Sequence, residues 1–161
     1  MTPHNAQSFS RSLLPSGPED LRVLLVDDDP AARRAVQSLL AVAGIVVVGT
    51  VADGATALAL AGLAAPSVVV ADLRVRRSGT FGLLTFLHRL GQMDPTIEVV
   101  VHTGAMDPAF ARAVYLSGAF AVVLKGAAGD KLLWTINAAH VARRAERRQG
   151  YRPGAPRADA L

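Results

Sequence analysis

Short runs of β-branched and other apolar residues alternate with longer Ala/Leu-rich stretches along this chain, five times over. The short runs are Leu21–Val26, Ile45–Val51, Ser67–Ala71, Ile97–His102 and Phe120–Leu124. Each is nearly all apolar rather than alternating, the pattern of a strand buried on both faces. Between and after them the pattern predicts helices over 31–43, 54–64, 82–91, 108–117 and 130–148. Asp29-Pro30 and Asp107-Pro108 mark two helix starts, a capping carboxylate before a proline at the first helical position, and Asp130 after Gly129 is placed to cap the last helix. Parallel strands need a crossover of a dozen or more residues, so this alternation predicts an α/β domain with a five-stranded parallel, doubly wound sheet and five helices. In such sheets ligands bind outside the carboxyl ends of the strands, so chemistry is expected there.

Composition narrows the picture. The chain has 161 residues, 51% apolar and only 5% aromatic, which suits a single domain with an aliphatic core. It has no cysteine, which excludes disulfides, thiolate metal sites and cysteine nucleophiles and fits a cytoplasmic location. The formal charge of +4 belongs to the C-terminal end: residues 141–161 hold six arginines against Glu146 and Asp159, while 1–140 is neutral. Cations at a helix C-terminus favour the macrodipole, so a solvated helix end is expected there and nucleic acid is not expected as a partner. The uncharged stretch Gly54–Ala71 is split by Pro66-Ser67, so no membrane segment is expected. Residues 1–20, punctuated by Pro3, Pro15, Gly17 and Pro18, read as a disordered tail, 21–148 as the domain, and 149–161 as a disordered basic tail.

The strand ends carry the polar residues. The first ends in Asp27-Asp28-Asp29, the third in Asp72, the fourth in Thr103-Gly104 and the fifth in Lys125. Side chains alternate along a strand, so three consecutive aspartates cannot share one pocket; Asp29 is assigned to the cap, leaving Asp27, Asp28 and Asp72. Carboxylates about 5 Å apart repel by roughly 3 kcal/mol at an effective dielectric of 20, so the cluster calls for a cation. Mg²⁺ suits it, because that ion takes one or two carboxylates and completes its shell with water and phosphate oxygens. Lys125 offers a point charge to a carboxylate or a phosphate, Thr103 offers a hydroxyl, and an aspartate nucleophile forms an acyl phosphate in known chemistry.

The segments LRVLLVDDDPAARRAVQSLL, VVVADLR, VVVHTGA and SGAFAVVLK together resemble the receiver domain of two-component response regulators, over about residues 21–143. The resemblance implies a flavodoxin-like fold with strand order 2-1-3-4-5. It implies that Asp72 accepts a phosphoryl group, that Asp27, Asp28, Asp72 and the Arg74 main-chain carbonyl hold Mg²⁺, and that Thr103 and Lys125 sense the phosphoryl group. The partners implied are a histidine kinase or phosphotransfer protein, a downstream protein effector and, because receivers dimerise through a helix-strand face, a homodimer. Such a domain is a signalling module rather than an enzyme.

Four features depart from the family pattern. The loop after Asp72 contains Arg76 and Arg77, expected to face solvent, and is about two residues longer than usual. The residue after Lys125 is Gly126 rather than proline, so a trans bond is expected. The aromatic switch position is Val122, and His102 precedes Thr103, where a surface role is expected. The Lys-Gly junction resembles receivers that precede a LuxR-type DNA-binding domain, yet no helix-turn-helix fits within 150–161, so a stand-alone regulator or a coding fragment is expected. A phosphorylation-independent adaptor with the same fold is the alternative that Val122, Gly126 and the altered loop leave open.

Overall fold

A computed structural model describes residues 21–72, 82–105 and 107–148. The two tails, Arg74 and the loop with Arg76 and Arg77 lie outside the described residues. Elements run in strict alternation: β1 (Arg22–Asp27), α1 (Pro30–Val42), β2 (Val46–Val51), α2 (Gly54–Ala64), β3 (Val68–Asp72), α3 (Leu83–Met93), β4 (Glu98–Thr103), α4 (Pro108–Leu116), β5 (Ala121–Leu124) and α5 (Gly129–Arg148). The five strands are all parallel, in the order β2-β1-β3-β4-β5. This is the doubly wound, flavodoxin-like arrangement expected from the sequence.

Alternation along each strand divides the core into two layers. Val23 and Leu25 of β1, Val68 and Val70 of β3 and Val100 of β4 pack with α1 and α5 through Leu40, Leu132 and Ile136. Leu24 and Val26, Val69 and Ala71, and Val99 and Val101 turn the other way, onto α2, α3 and α4 through Ala57, Ala61, Phe86, Leu90 and Val114. The small residues of α2 let that helix lie close to the sheet, and Phe86 is the largest fully buried side chain. The strands β1 and β3 are buried on both faces as expected, whereas β2 and β5 are edges and only partly covered, a consequence of their places at the ends of the strand order.

Helix ends follow local chemistry. Asp29 accepts from the Ala31 N–H at 2.8 Å and Asp107 from the Phe110 N–H at 2.8 Å, each ahead of a proline in the first turn. Asp53 does the same for α2, accepting from the Thr56 N–H at 2.8 Å. Helix α5 differs from expectation: it starts at Gly129, so Asp130 sits inside the first turn, where its charge opposes the macrodipole's positive end rather than capping it. After α1 and α4 the chain turns through Gly44 and Gly118 at φ of 73° and 101°, a left-handed conformation suited to glycine.

The basic end of α5 is not simply solvated. The Arg143 Nε donates to the Thr96 carbonyl at 2.7 Å, tying the helix to the loop that enters β4. Among the described residues no helix is long and apolar enough to cross a membrane.

Candidate functional site

Strand register assembles the site. β1 and β3 pair so that Asp27 lies directly opposite Asp72, the last residue of each strand. On the far side β4 pairs with β5 with Thr103 opposite Leu124, and the Lys125 N–H donates to the Thr103 carbonyl at 2.8 Å, carrying the ladder one residue further. One more alternation puts Asp27, Asp72, His102 and Lys125 on the α1/α5 side of the sheet, above Leu25, Val70, Val100 and Val123.

Two buried carboxylates held in register would repel, and Lys125 resolves the conflict. Its Nζ lies 2.7 Å from Asp27 Oδ2 and 2.6 Å from Asp72 Oδ2, with all three side chains largely buried. Burial alone disfavours the charged amine, but the hydrogen bonds it donates to Asp27 and Asp72 outweigh it and hold the Lys125 pKa above its ordinary value. The ammonium is therefore a fixed positive charge between the two aspartates at neutral pH.

The β1–α1 turn supplies the remaining acid. Asp27 Oδ1 accepts from the Asp29 N–H at 2.8 Å, and Arg33 Nη1 donates to the Asp27 carbonyl at 2.5 Å. Asp28 lies between these tied residues. Both of its carboxylate oxygens are buried and neither has a hydrogen-bond partner. A desolvated carboxylate without donors is costly and is satisfied by a cation. Among the described residues no three His, Asp or Glu side chains converge as a ready-made metal shell. The unpartnered Asp28 carboxylate is the feature that fits a divalent ion such as Mg²⁺, which needs only one or two carboxylates and takes its other ligands from water and carbonyl oxygens.

Asp27, Arg33, Asp72 and His102 line a solvent-open recess with a cavity volume of about 10 Å³, room for about one water-sized group and far below the 300–1,000 Å³ typical of pockets for small organic ligands. His102 is half-buried here rather than at the surface as the sequence suggested. Burial, and then the nearby Lys125 ammonium, lower its pKa below the usual histidine value. The same even-numbered alternation that buries Val100 was the available signal for it. Thr103 falls on the opposite side of β4, with its hydroxyl donating to the Ala105 carbonyl at a long 3.4 Å, so it is close in sequence order but not tied to the aspartates. Arg33 was not singled out from the sequence, where it looks like any helix-surface arginine.

The family model of the response regulator receiver domain matches residues 23–137. The chain belongs to the response regulator receiver family. Phosphorylation on an aspartate is the function of that family. Among curated proteins the receiver is 35% identical over 125 residues, 76% of this chain, to the C4-dicarboxylate transport transcriptional regulatory protein DctD of Rhizobium meliloti, of which it covers 26%. It spans only about a quarter to a half of the curated relatives it matches. Among solved structures it is similar to the Vibrio cholerae chemotaxis protein CheY4, with a TM-score of 0.65, 26% identity and coverage of 74% of this chain and 98% of that one. A LuxR-family two-component response regulator from Aurantimonas gives a TM-score of 0.69 and 28% identity, over 76% of this chain and 86% of that one. Receiver domains bind Mg²⁺ for phosphorylation and interact with histidine kinases and downstream effectors in general.

Proposed function

We propose that Asp72 accepts a phosphoryl group from the phosphohistidine of a histidine kinase or phosphotransfer protein and that the change at this site switches a protein-binding face, in the cytoplasm. The observation that carries the reading is the Lys125 ammonium spanning Asp27 and Asp72 at 2.7 and 2.6 Å, with the unpaired carboxylate of Asp28 next in sequence to Asp27. Asp27, Asp28 and Asp72, with the main-chain carbonyl of Arg74, would hold Mg²⁺. When bound, that ion offsets the negative charge that accumulates as a phosphoryl group approaches the carboxylates.

In the transfer a carboxylate oxygen of Asp72 forms a bond to phosphorus as the N–P bond of the phosphohistidine breaks, and the leaving imidazole takes a proton from water. Asp27, in contact with Lys125 at 2.7 Å, keeps the ammonium beside the reacting group. The product is an acyl phosphate with a charge of about −1.5 to −2, if it resembles other phosphorylated side chains. Lys125 then exchanges the Asp72 carboxylate for a phosphoryl oxygen. Thr103 gives up its long contact to the Ala105 carbonyl and donates to the same group, which shifts the segment leading into α4. The chain acts as a signalling module, and its chemistry is limited to taking up and slowly losing the phosphoryl group.

A second reading, a phosphorylation-independent adaptor, is favoured by Val122. This half-buried β5 residue packs on the α2/α3/α4 side and has no aromatic ring to swing between inward and outward positions. Beryllium fluoride with Mg²⁺ separates the two readings, with amide resonances of Thr103, Lys125 and α4 as the readout. Saturable shifts at these residues that vanish in Asp72→Asn support phosphoryl-driven switching. No shift at saturating Mg²⁺ supports the adaptor.

A further inference from the structure

Three aspartates in a row form the turn from β1 to α1, and each has a different environment. Asp27 is tied through Oδ1 to the Asp29 N–H and through Oδ2 to Lys125. Asp29 is tied through Oδ1 to the N–H of Ala31. Asp28 has its two carboxylate oxygens buried without a partner. Left to itself, such a side chain would turn toward water, so neighbouring contacts must restrict its backbone. Arg33 provides one from the first turn of α1, six residues beyond Asp27. Its Nη1 donates to the Asp27 carbonyl at 2.5 Å. That carbonyl belongs to the planar peptide joining Asp27 to Asp28, so fixing its orientation fixes ψ of Asp27 and φ of Asp28 together. The Arg33 side chain also lines the recess shared by Asp27, Asp72 and His102.

We propose that Arg33 is a positioning residue for the divalent cation: by holding the Asp27–Asp28 peptide, its guanidinium keeps the Asp28 carboxylate buried, unpaired and ready to ligate. The proposal rests on the reading of Asp27 and Asp28 as cation ligands. It assigns Arg33 an effect opposite in sign to that of its charge. As a nearby cation Arg33 opposes Mg²⁺ binding, so removing the charge alone tightens the ion. As a positioning group it favours binding, so removing the contact weakens it.

That difference in sign is the test. Mg²⁺ affinity of the full chain is measured by calorimetry for the wild type, Arg33→Met, Arg33→Lys and Arg34→Met. Arg34 is exposed and next in sequence, so its replacement removes the same charge from the same helical turn. The expected result is about tenfold weaker binding for Arg33→Met, partial recovery in Arg33→Lys, which keeps one donor, and unchanged or slightly tighter binding for Arg34→Met. Amide exchange at Asp28 and Asp29 in EDTA, a readout that charge alone would leave in place, is expected to quicken in Arg33→Met and not in Arg34→Met. Unchanged or tighter binding by Arg33→Met, or equal losses in both methionine variants, overturns the proposal. If Arg33→Met does not fold, binding by Arg33→Lys as tight as wild type together with unchanged Asp28 exchange overturns it as well. Failure of the wild type to bind Mg²⁺ at all is a different result: it removes the cation reading itself, and this inference with it.

Discussion

Lys125 is the residue on which the site's electrostatics turn. It separates two carboxylates that the sheet register places opposite each other, so its loss leaves an uncompensated buried like-charge pair. Lys125→Met is expected to cost about 3 kcal/mol in urea unfolding at pH 7, and adding Asp72→Asn to that background is expected to recover at least about 1 kcal/mol, a coupling that a double-mutant cycle reads directly. Because the pKa of Lys125 is raised in the folded chain, its contribution is fully present below the ordinary value of 10.5 and is lost only as pH rises beyond it. His102 works the other way. Its folded pKa lies below the ordinary 6.5, so on acidification the unfolded chain takes up a proton that the folded chain resists, and stability falls as pH drops below about 6.5. Thermal unfolding in EDTA between pH 7.5 and 5 is expected to show this slope in the wild type and a smaller one in His102→Gln, with Asp27, Asp72 and Lys125 as the charged groups facing the ring; equal slopes would refute the assignment. Asp27, Asp72 and Lys125 were legible from sequence because each closes an apolar strand. The burial of His102 was less so: alternation places it on the face of Val100, but a polar residue at a strand end reads as exposed until the neighbouring elements cover it.

At the level of elements, caps and strand register do different work. The Asp-Pro pairs announce α1 and α4 from sequence because both the carboxylate and the ring serve only a helix start. Asp29→Ala is expected to cost about 1 kcal/mol and to quicken amide exchange at Ala31 and Ala32, whose N–H groups the carboxylate accepts from; a loss under a few tenths would show that Pro30 alone sets the start. The start of α5 was misread because Asp130 resembles a cap, while the helix admits Gly129 as its first residue. Register was not legible at all. That Asp27 faces Asp72, rather than a neighbour one residue along, depends on how β1 and β3 slide against each other as two helix layers close on them, and no single strand carries that information. The edges differ: five similar apolar runs do not say which two lie at the ends of the sheet, but the strand order implied by the resemblance put β2 and β5 there, where the structure has them.

At the scale of the molecule, a charged strand edge sits on an aliphatic core. Two layers built around Phe86 and Leu90 on one face and Leu40 and Ile136 on the other hold β1 and β3 firmly enough to keep like charges in contact with one lysine. On the proposed reading a bound cation offsets the acidic charge there, so Mg²⁺ would couple to stability. At ten times its Kd, Mg²⁺ is expected to stabilise the chain by about 1.4 kcal/mol, a rise in Tm of roughly 3–5 °C, and to leave Asp28→Asn largely unshifted. On the proposed reading the acceptor is Asp72, which ends β3 opposite Asp27 and touches Lys125. The most direct test is the intact mass of the full chain after incubation with Mg²⁺ and acetyl phosphate, for the wild type and Asp72→Asn. A gain of one phosphoryl group that requires Mg²⁺, is released by hydroxylamine and is absent from Asp72→Asn is the predicted result. Equal phosphorylation of both proteins, or none in a wild type shown to bind Mg²⁺, would contradict it.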